Sequence, residues 1–196
     1  APFLSIPDIL ILAESYRRDG AEIIDIGCLP NQPFPHLSET IQELKKNKFY
    51  VSVDSHNLEE IVEGSKSGAD YVLSLKKENI NIIESIDATP VLIPNSTDDI
   101  DSLYWCIDKC IKENKKFIAD PILDPINYGF TNSLVRYHQL RKDYPKIDIM
   151  MGIGNLTELT HADTTGITAM LMGIITELKI NHILTAQVSN HCRTVI

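Results

Sequence analysis

No stretch of this 196-residue chain approaches the roughly 18 consecutive apolar residues of a membrane-spanning helix, and no signal-peptide pattern opens it. Both absences predict a soluble, cytoplasmic protein with no membrane partner. Positive charge is also scarce: 18 Lys and Arg face 27 Asp and Glu, a net charge of −9. Nucleic-acid binding needs clustered cations on one face, so no nucleic-acid partner is expected. The densest basic runs, Lys45-Lys46-Asn47-Lys48 and Lys112–Lys116, close helix-length segments just before a strand. There they complement the helix dipole and face solvent. Cysteine is limited to Cys28, Cys106, Cys110 and Cys192, without CxxC or CxxH spacing. Cys106 and Cys110 are four apart and share a helix face, which reads as a buried stripe rather than a metal pair. Nothing here requires an oxidising compartment. Low-complexity segments, linkers and a domain boundary are all missing, so residues 1–196 read as a single domain.

What the chain does have is a recurrence. Seven Val/Ile-rich runs, at Glu22–Gly27, Phe49–Asp54, Asp70–Leu75, Pro90–Pro94, Phe117–Asp120, Ile147–Gly152 and His182–Val188, each end in a polar segment. Helix-length amphipathic stretches precede the first run, at Pro7–Arg18, and follow five of the runs, at His36–Lys46, Leu58–Gly64, Asp101–Glu113, Thr131–Asp143 and Ile167–Leu178. Strands alternating with helices imply βαβ units and a parallel sheet. Repeated right-handed crossovers of roughly 25–30 residues close into a TIM (β/α)8 barrel. No first strand is visible before Pro7, and a full barrel typically takes ~250 residues. The expectation is therefore a barrel lacking its first strand, part of a longer protein. Asn57 is the natural N-cap of the third helix, with Asp54 as the alternative, and Gly68 its stop. Ile167–Leu178 is apolar nearly all round, which predicts burial on more than one side.

Parallel barrels hold their chemistry in the loops after the strands. Asp54 and Asp120 each end a β-branched run, and Asn155 follows the sixth run in Gly152-Ile153-Gly154-Asn155-Leu156-Thr157. Helix capping does not predict two carboxylates and an amide converging on one mouth. Together they offer acceptors and one group that both donates and accepts, which suits a planar heterocycle with an amino-pyrimidinone edge. Asp25 lies inside a strand between Ile24 and Ile26, where an unpaired carboxylate is costly. It is either a satisfied core aspartate or a site residue beneath the other three. Gln187, on the last run, needs hydrogen-bond partners and is placed at the mouth beside Asn155. Arg193, in the loop after that run, is either the solvated start of a final helix or the group for the anionic end of a substrate, in the region where barrels often hold phosphate. His161-Ala162-Asp163 has ligand-type residues two apart, but Asp163 as a helix cap explains it without metal, so no metal site is expected.

Gly20-Ala21-Glu22-Ile23-Ile24-Asp25-Ile26-Gly27 closely resembles the dihydropteroate synthase motif G-A-D-I-I-D-I-G. Val51-Ser52-Val53-Asp54-Ser55 resembles that family's S-I-D-T, and Gly68-Ala69-Asp70-Tyr71-Val72 the opening of its next strand. Ile122-Leu123-Asp124-Pro125 with Gly129-Phe130 resembles I-L-D-P-G-x-G-F. The resemblance implies a pterin-binding barrel with Asp54 on the ring. The family's later aspartate falls on Asp120, which ends the apolar run, or on Asp124, which matches the motif letters. The departures are specific. Gly154-Asn155-Leu156 stands where synthases carry S-R-K, Leu29–Gln32 replaces a Thr-Arg pair, and Leu73-Ser74 an Asn-Asp pair. The Gly152–Thr157 segment is instead similar to G-x-S-N-x-S of methyltetrahydrofolate:corrinoid methyltransferases, whose Asn reaches the pterin ring.

As a whole the pattern resembles the dihydropteroate synthase-related proteins of methanogens and methylotrophs. That implies an association with methanopterin metabolism but no particular reaction. The leading expectation is a pterin-binding domain in tetrahydromethanopterin or folate-type biosynthesis, a dihydropteroate synthase-like transferase joining a pterin methyl carbon to an arylamine. The alternatives are a methylpterin-dependent methyltransferase and a non-catalytic pterin-binding domain. No tightly bound cofactor is expected, and magnesium would arrive only with a pyrophosphate substrate. The expected partner is a pterin small molecule, and a homodimer is left open.

Overall fold

All seven apolar runs contain strands in the computed structural model, which describes residues 3–157 and 164–186. The chain divides into two compact units, Ala1–Val91 and Leu92–Ile196. The first holds α1 (Ile6–Arg18), β1 (Ile23–Gly27), α2 (Leu37–Lys46), β2 (Tyr50–Asp54), α3 (Leu58–Lys66), β3 (Tyr71–Leu75), a 3-10 turn (Ile80–Glu84) and most of β4 (Thr89–Leu92). Its strands lie beside one another in chain order. β1 and β2 pair parallel with Asp25 opposite Ser52 and Gly27 opposite Asp54. β2 and β3 pair parallel with Ser52 opposite Tyr71.

That register sorts the side chains, because successive residues of a strand face opposite ways. Ile24, Ile26, Val51 and Val53 share one face and are buried in a cluster with Ile9 and Ala13 of α1 and Leu37, Ile41 and Leu44 of α2. Asp25, Ser52 and Asp54 share the other. The helices thus cover the apolar face and leave the polar one to the strand ends. α3 is capped by Asn57, whose Oδ1 accepts from the Glu59 N–H at 2.9 Å, so Asp54 is not its cap. Its exit runs through Gly68, at φ +102°. Lys45 is not a solvated end-of-helix charge as expected. Its Nζ meets Asp70 at 2.6 Å, and Asp70 also accepts the Val51 N–H at 2.8 Å, fixing the starts of β2 and β3.

Close approach of α3 to the sheet depends on Gly64. A Cβ there would sit 2.9 Å from Val53 Cγ2. Gly64→Ala should therefore lower the unfolding free energy by about 1–2 kcal/mol, overpacking outweighing the gain in helix propensity. Urea denaturation reads this as a lower midpoint at unchanged m-value.

The second unit holds the end of β4, α4 (Ile100–Lys112), β5 (Ile118–Ala119), α5 (Phe130–Asp143), β6 (Asp148–Gly152), the single turn α6 (Gly154–Thr157), α7 (Thr164–Glu177) and β7 (His182–Leu184). β5 pairs parallel with β6, and β6 with β7. Leu92 O accepts the Asp120 N–H at 2.8 Å, continuing the ladder one residue beyond β5. α4 buries Leu103, Cys106, Ile107 and Cys110, so the two cysteines lie in the core as the helical spacing predicts. Arg141, near the end of α5, donates to the carbonyls of Ile147, Leu178 and Lys179 at 2.8, 2.9 and 2.7 Å. It binds the loops that precede β6 and β7, the end of such a sheet that serves stability.

Two expectations for the last repeat change. α7 buries one stripe, Thr168, Leu171 and Ile175, while Met170 is 50% exposed. Its apolar residues exceed what one buried stripe needs, so composition overstated its burial. β7 spans His182–Leu184, with Thr185 and Ala186 outside the ladder, and Gln187 and Val188 lie outside the described residues. Among the described residues, no helix is long and apolar enough to cross a membrane.

Candidate functional site

The C-terminal ends of β1, β2 and β3 gather the polar residues of the first unit. Asp25 Oδ1 accepts from the Ser52 hydroxyl at 2.5 Å, the cross-strand pairing the register sets up. Asp54 Oδ1 accepts from the Ser74 hydroxyl at 2.7 Å. In regular alternation Ser74 would share the face of Val72, away from Asp54. It reaches Asp54 because its backbone is left-handed, at φ +68°. A non-glycine residue there costs on the order of 1–2 kcal/mol, strain of the kind that collects at functional sites.

Burial pushes the Asp25 carboxyl up to about 7, opposed by the Ser52 hydroxyl and assisted by the negative charge of Asp54. Near neutrality Asp25 thus exists in both protonation states. A carboxyl that holds its proton can donate, and one that has lost it only accepts. The pair therefore presents an acceptor, and a group switchable between donor and acceptor, on one face of the sheet. Its wall is ordered by Glu60 of α3, a buried carboxylate that accepts from the Ser55 hydroxyl at 2.5 Å and the Phe34 N–H at 3.0 Å. Cys28 N–H donates to Asp54 O at 2.8 Å. Burial and the neighbouring Glu60 push the Cys28 thiol up to about 12, so it packs as a thiol and is not a nucleophile.

The loop after β5 is the corresponding feature of the second unit. Asp120 is buried, and its Oδ1 accepts from the Tyr137 hydroxyl at 2.6 Å and the Ile122 N–H at 2.8 Å. Burial raises its carboxyl to about 6, against the lowering by the Tyr137 hydroxyl, the Ile122 N–H and the Arg136 charge. Asp124 meets Arg136 Nη2 through Oδ2 at 2.7 Å. Gly129, at φ +119°, lets the chain pass so close that a Cβ would lie 2.9 Å from that oxygen. Asn155, exposed on α6, donates its amide to Leu123 O at 3.0 Å. Its side-chain NH2 thus braces the loop that carries Asp124.

Within the first unit, then, Asp25 and Asp54 come together; within the second, Asp120, Asp124 and Asn155 do. Gln187 and Arg193 lie outside the described residues, as do His161, Asp163, His191 and Cys192. No group of three or more metal-ligating side chains occurs among the described residues. Four contributors, Ser74, Glu60, Arg136 and Tyr137, are not among the residues that strand-end position predicts for the site. Tyr137 was visible as a member of the buried stripe of α5, and a buried phenol needs a partner for its hydroxyl. That need was the signal for its bond to Asp120.

No family model matches the chain. An uncharacterized protein of Methanocaldococcus jannaschii is 29% identical over 215 residues, covering 98% of this chain and 40% of that protein. The chain thus spans 40% of the length of the curated relative it matches. Among solved structures, dihydropteroate synthase from Coxiella burnetii in complex with pteroic acid has a TM-score of 0.75 at 19% identity, over 98% of this chain and 84% of that one. The Yersinia pestis enzyme with a pterine-sulfa conjugate gives 0.73 at 15% identity, over 97% and 86%. The Anaplasma phagocytophilum enzyme with bound 6-hydroxymethylpterin-monophosphate gives 0.71 at 17%, over 98% and 88%. The parallel α/β fold of this chain is that of dihydropteroate synthases.

Proposed function

We propose that this chain is a pterin-binding barrel domain of a longer, cytoplasmic protein, and that it acts in tetrahydromethanopterin or folate-type biosynthesis. The observation that carries the reading is the Asp25–Asp54 pair: two carboxylates on one sheet face, at the strand ends, one of them able to hold a proton near neutral pH. Such a pair matches the N–H and ring-nitrogen pattern of an aminopyrimidinone. The fold supports the same reading, since the dihydropteroate synthases it resembles include complexes with pterin ligands.

In this reading Asp25 and Asp54 are the ring-binding groups that the first unit offers, and the second unit offers Asp120 or Asp124, with Asn155 and Gln187 as further candidates. Arg193 takes the anionic end of the substrate, and any magnesium enters with a pyrophosphate. The reaction forms a bond from the arylamine nitrogen to the pterin methyl carbon as that carbon's bond to the pyrophosphate oxygen breaks, and the amine proton passes to water. Holding the two reactants in line therefore supplies a large share of the rate. Titration calorimetry of the full-length protein with 6-hydroxymethylpterin tests binding. Pyrophosphate release on mixing the pyrophosphorylated pterin with p-aminobenzoate tests chemistry. Saturable binding with arylamine-dependent release is expected, and no heat of pterin binding would overturn the reading.

One observation favours a second reaction. A proton held by Asp25 near neutrality suits protonation of a ring nitrogen, the step that makes a methylpterin a better methyl donor. Methyl transfer from a methylated pterin to a corrinoid, without pyrophosphate release, would identify that chemistry. Pterin binding with neither reaction would mark a domain that binds without catalysis.

A further inference from the structure

Arg136 donates to three acceptors of one loop. Its Nε meets Pro121 O at 3.1 Å, and its Nη2 meets Ile122 O at 2.8 Å and Asp124 Oδ2 at 2.7 Å. The side chains of Arg136 and Asp124 are only 12% and 13% exposed. The residue at the centre of this grip, Ile122, has φ +67°, in the left-handed region that β-branched residues almost never enter. Strain of that kind persists only where the surroundings over-determine it. The surroundings here are the planar fork of Arg136, the Asp120 carboxylate on the Ile122 N–H, and the Asn155 amide on Leu123 O. Tyr137, the next residue of α5, holds Asp120 through its hydroxyl. Adjacent positions of one helix therefore grip both candidate carboxylates of the β5 loop. Each is gripped by one oxygen, Asp120 by Oδ1 and Asp124 by Oδ2, so the other oxygen lies outside those bonds.

We propose that Arg136 is a positioning residue, whose fork keeps Ile122 left-handed and Asp124 oriented so that the 120–124 loop presents a preformed acceptor edge to a heterocyclic ligand. The proposal rests on the pterin reading for the ligand alone. Neither the strand-end motifs nor the fold comparison assigns this helix residue a role. Lysine cannot replace it, because a single ammonium cannot meet two carbonyls and a carboxylate in one plane.

The test uses Arg136→Gln, which removes charge and fork, and Arg136→Lys, which keeps only charge. Backbone 13C shifts of Ile122 report its conformation without any ligand, and calorimetry with 6-hydroxymethylpterin reports the consequence. In both variants Ile122 should leave its left-handed shifts, and the pterin Kd, measured well below the unfolding temperature, should rise at least tenfold. Arg136→Gln should also move upward the pH at which binding sets in from the acid side, since the Arg136 charge holds the Asp120 carboxyl down and Asp120 accepts best when ionised. A merely structural residue would lower the melting temperature and leave the folded protein's Kd within twofold of wild type, which overturns the proposal. Left-handed Ile122 shifts persisting in Arg136→Gln overturn it whether or not pterin binds. Absence of pterin binding to the wild-type protein defeats the functional reading instead, and the Ile122 shifts still decide the positioning role.

Discussion

Asp54→Asn should abolish measurable pterin binding while leaving the fold intact. The substitution keeps the shape of the side chain, and an amide oxygen can still accept from the Ser74 hydroxyl that Asp54 now engages at 2.7 Å. What it loses is charge and one acceptor, and it places an N–H where a ring N–H must be received. Hydrogen bonds to an ionised group contribute about 1.5–3 kcal/mol each, so losing one or two of them, with a donor facing a donor, weakens binding about a hundredfold or more. No cavity opens and no cap is removed, because α3 is capped by Asn57. The unfolding free energy should therefore stay within about 1 kcal/mol of wild type. Titration calorimetry beside a thermal melt separates the two effects. Unchanged pterin affinity would reduce Asp54 to a partner of Ser74.

Strands were readable because β-branched runs such as Val51–Val53 and Ile147–Gly152 alternate with segments of helical period, and that contrast needs no tertiary information. Caps were readable for the same local reason: Asn57 starts α3 and Gly68 follows it. The strand-end rule then drew attention to Asp25, Asp54 and Asp120. It could not point to Glu60, Arg136 or Tyr137, which sit on helices and act by reaching back to the loops. Nor could it foresee Ser74 and Ile122, since a left-handed serine or isoleucine contradicts local preference and exists only because distant bonds hold it. α7 failed in the opposite way, its apolar composition promising more burial than the Thr168–Leu171–Ile175 stripe provides. The ambiguity between Asp120 and Asp124 takes a different form in three dimensions, where both are tied to successive residues of α5.

Asp25→Asn should make the protein more stable at high pH and remove a pH dependence that the wild type shows. In the folded protein burial lifts the Asp25 carboxyl from 3.8 to about 7, with the Ser52 hydroxyl opposing and the Asp54 charge assisting. In the unfolded chain the carboxyl regains its ordinary value. Between those two values the folded state binds a proton that the unfolded state has released, so stability falls as pH rises through this window. Below about pH 4 both states are protonated and Asp25 contributes nothing to the pH dependence. Above about pH 7 the folded state must keep a buried carboxylate beside Asp54, and the full penalty applies. Converted at about 1.4 kcal/mol per tenfold change in proton affinity, that penalty is on the order of 2–4 kcal/mol at pH 8. Asparagine carries no charge, and its oxygen can still accept from Ser52. Urea unfolding of wild type and variant should accordingly give curves that converge near pH 4 and separate steadily up to pH 8, with the variant the more stable. A constant difference across that range would mean that Asp25 is ionised throughout, and would remove the proton that methyl transfer from a pterin requires.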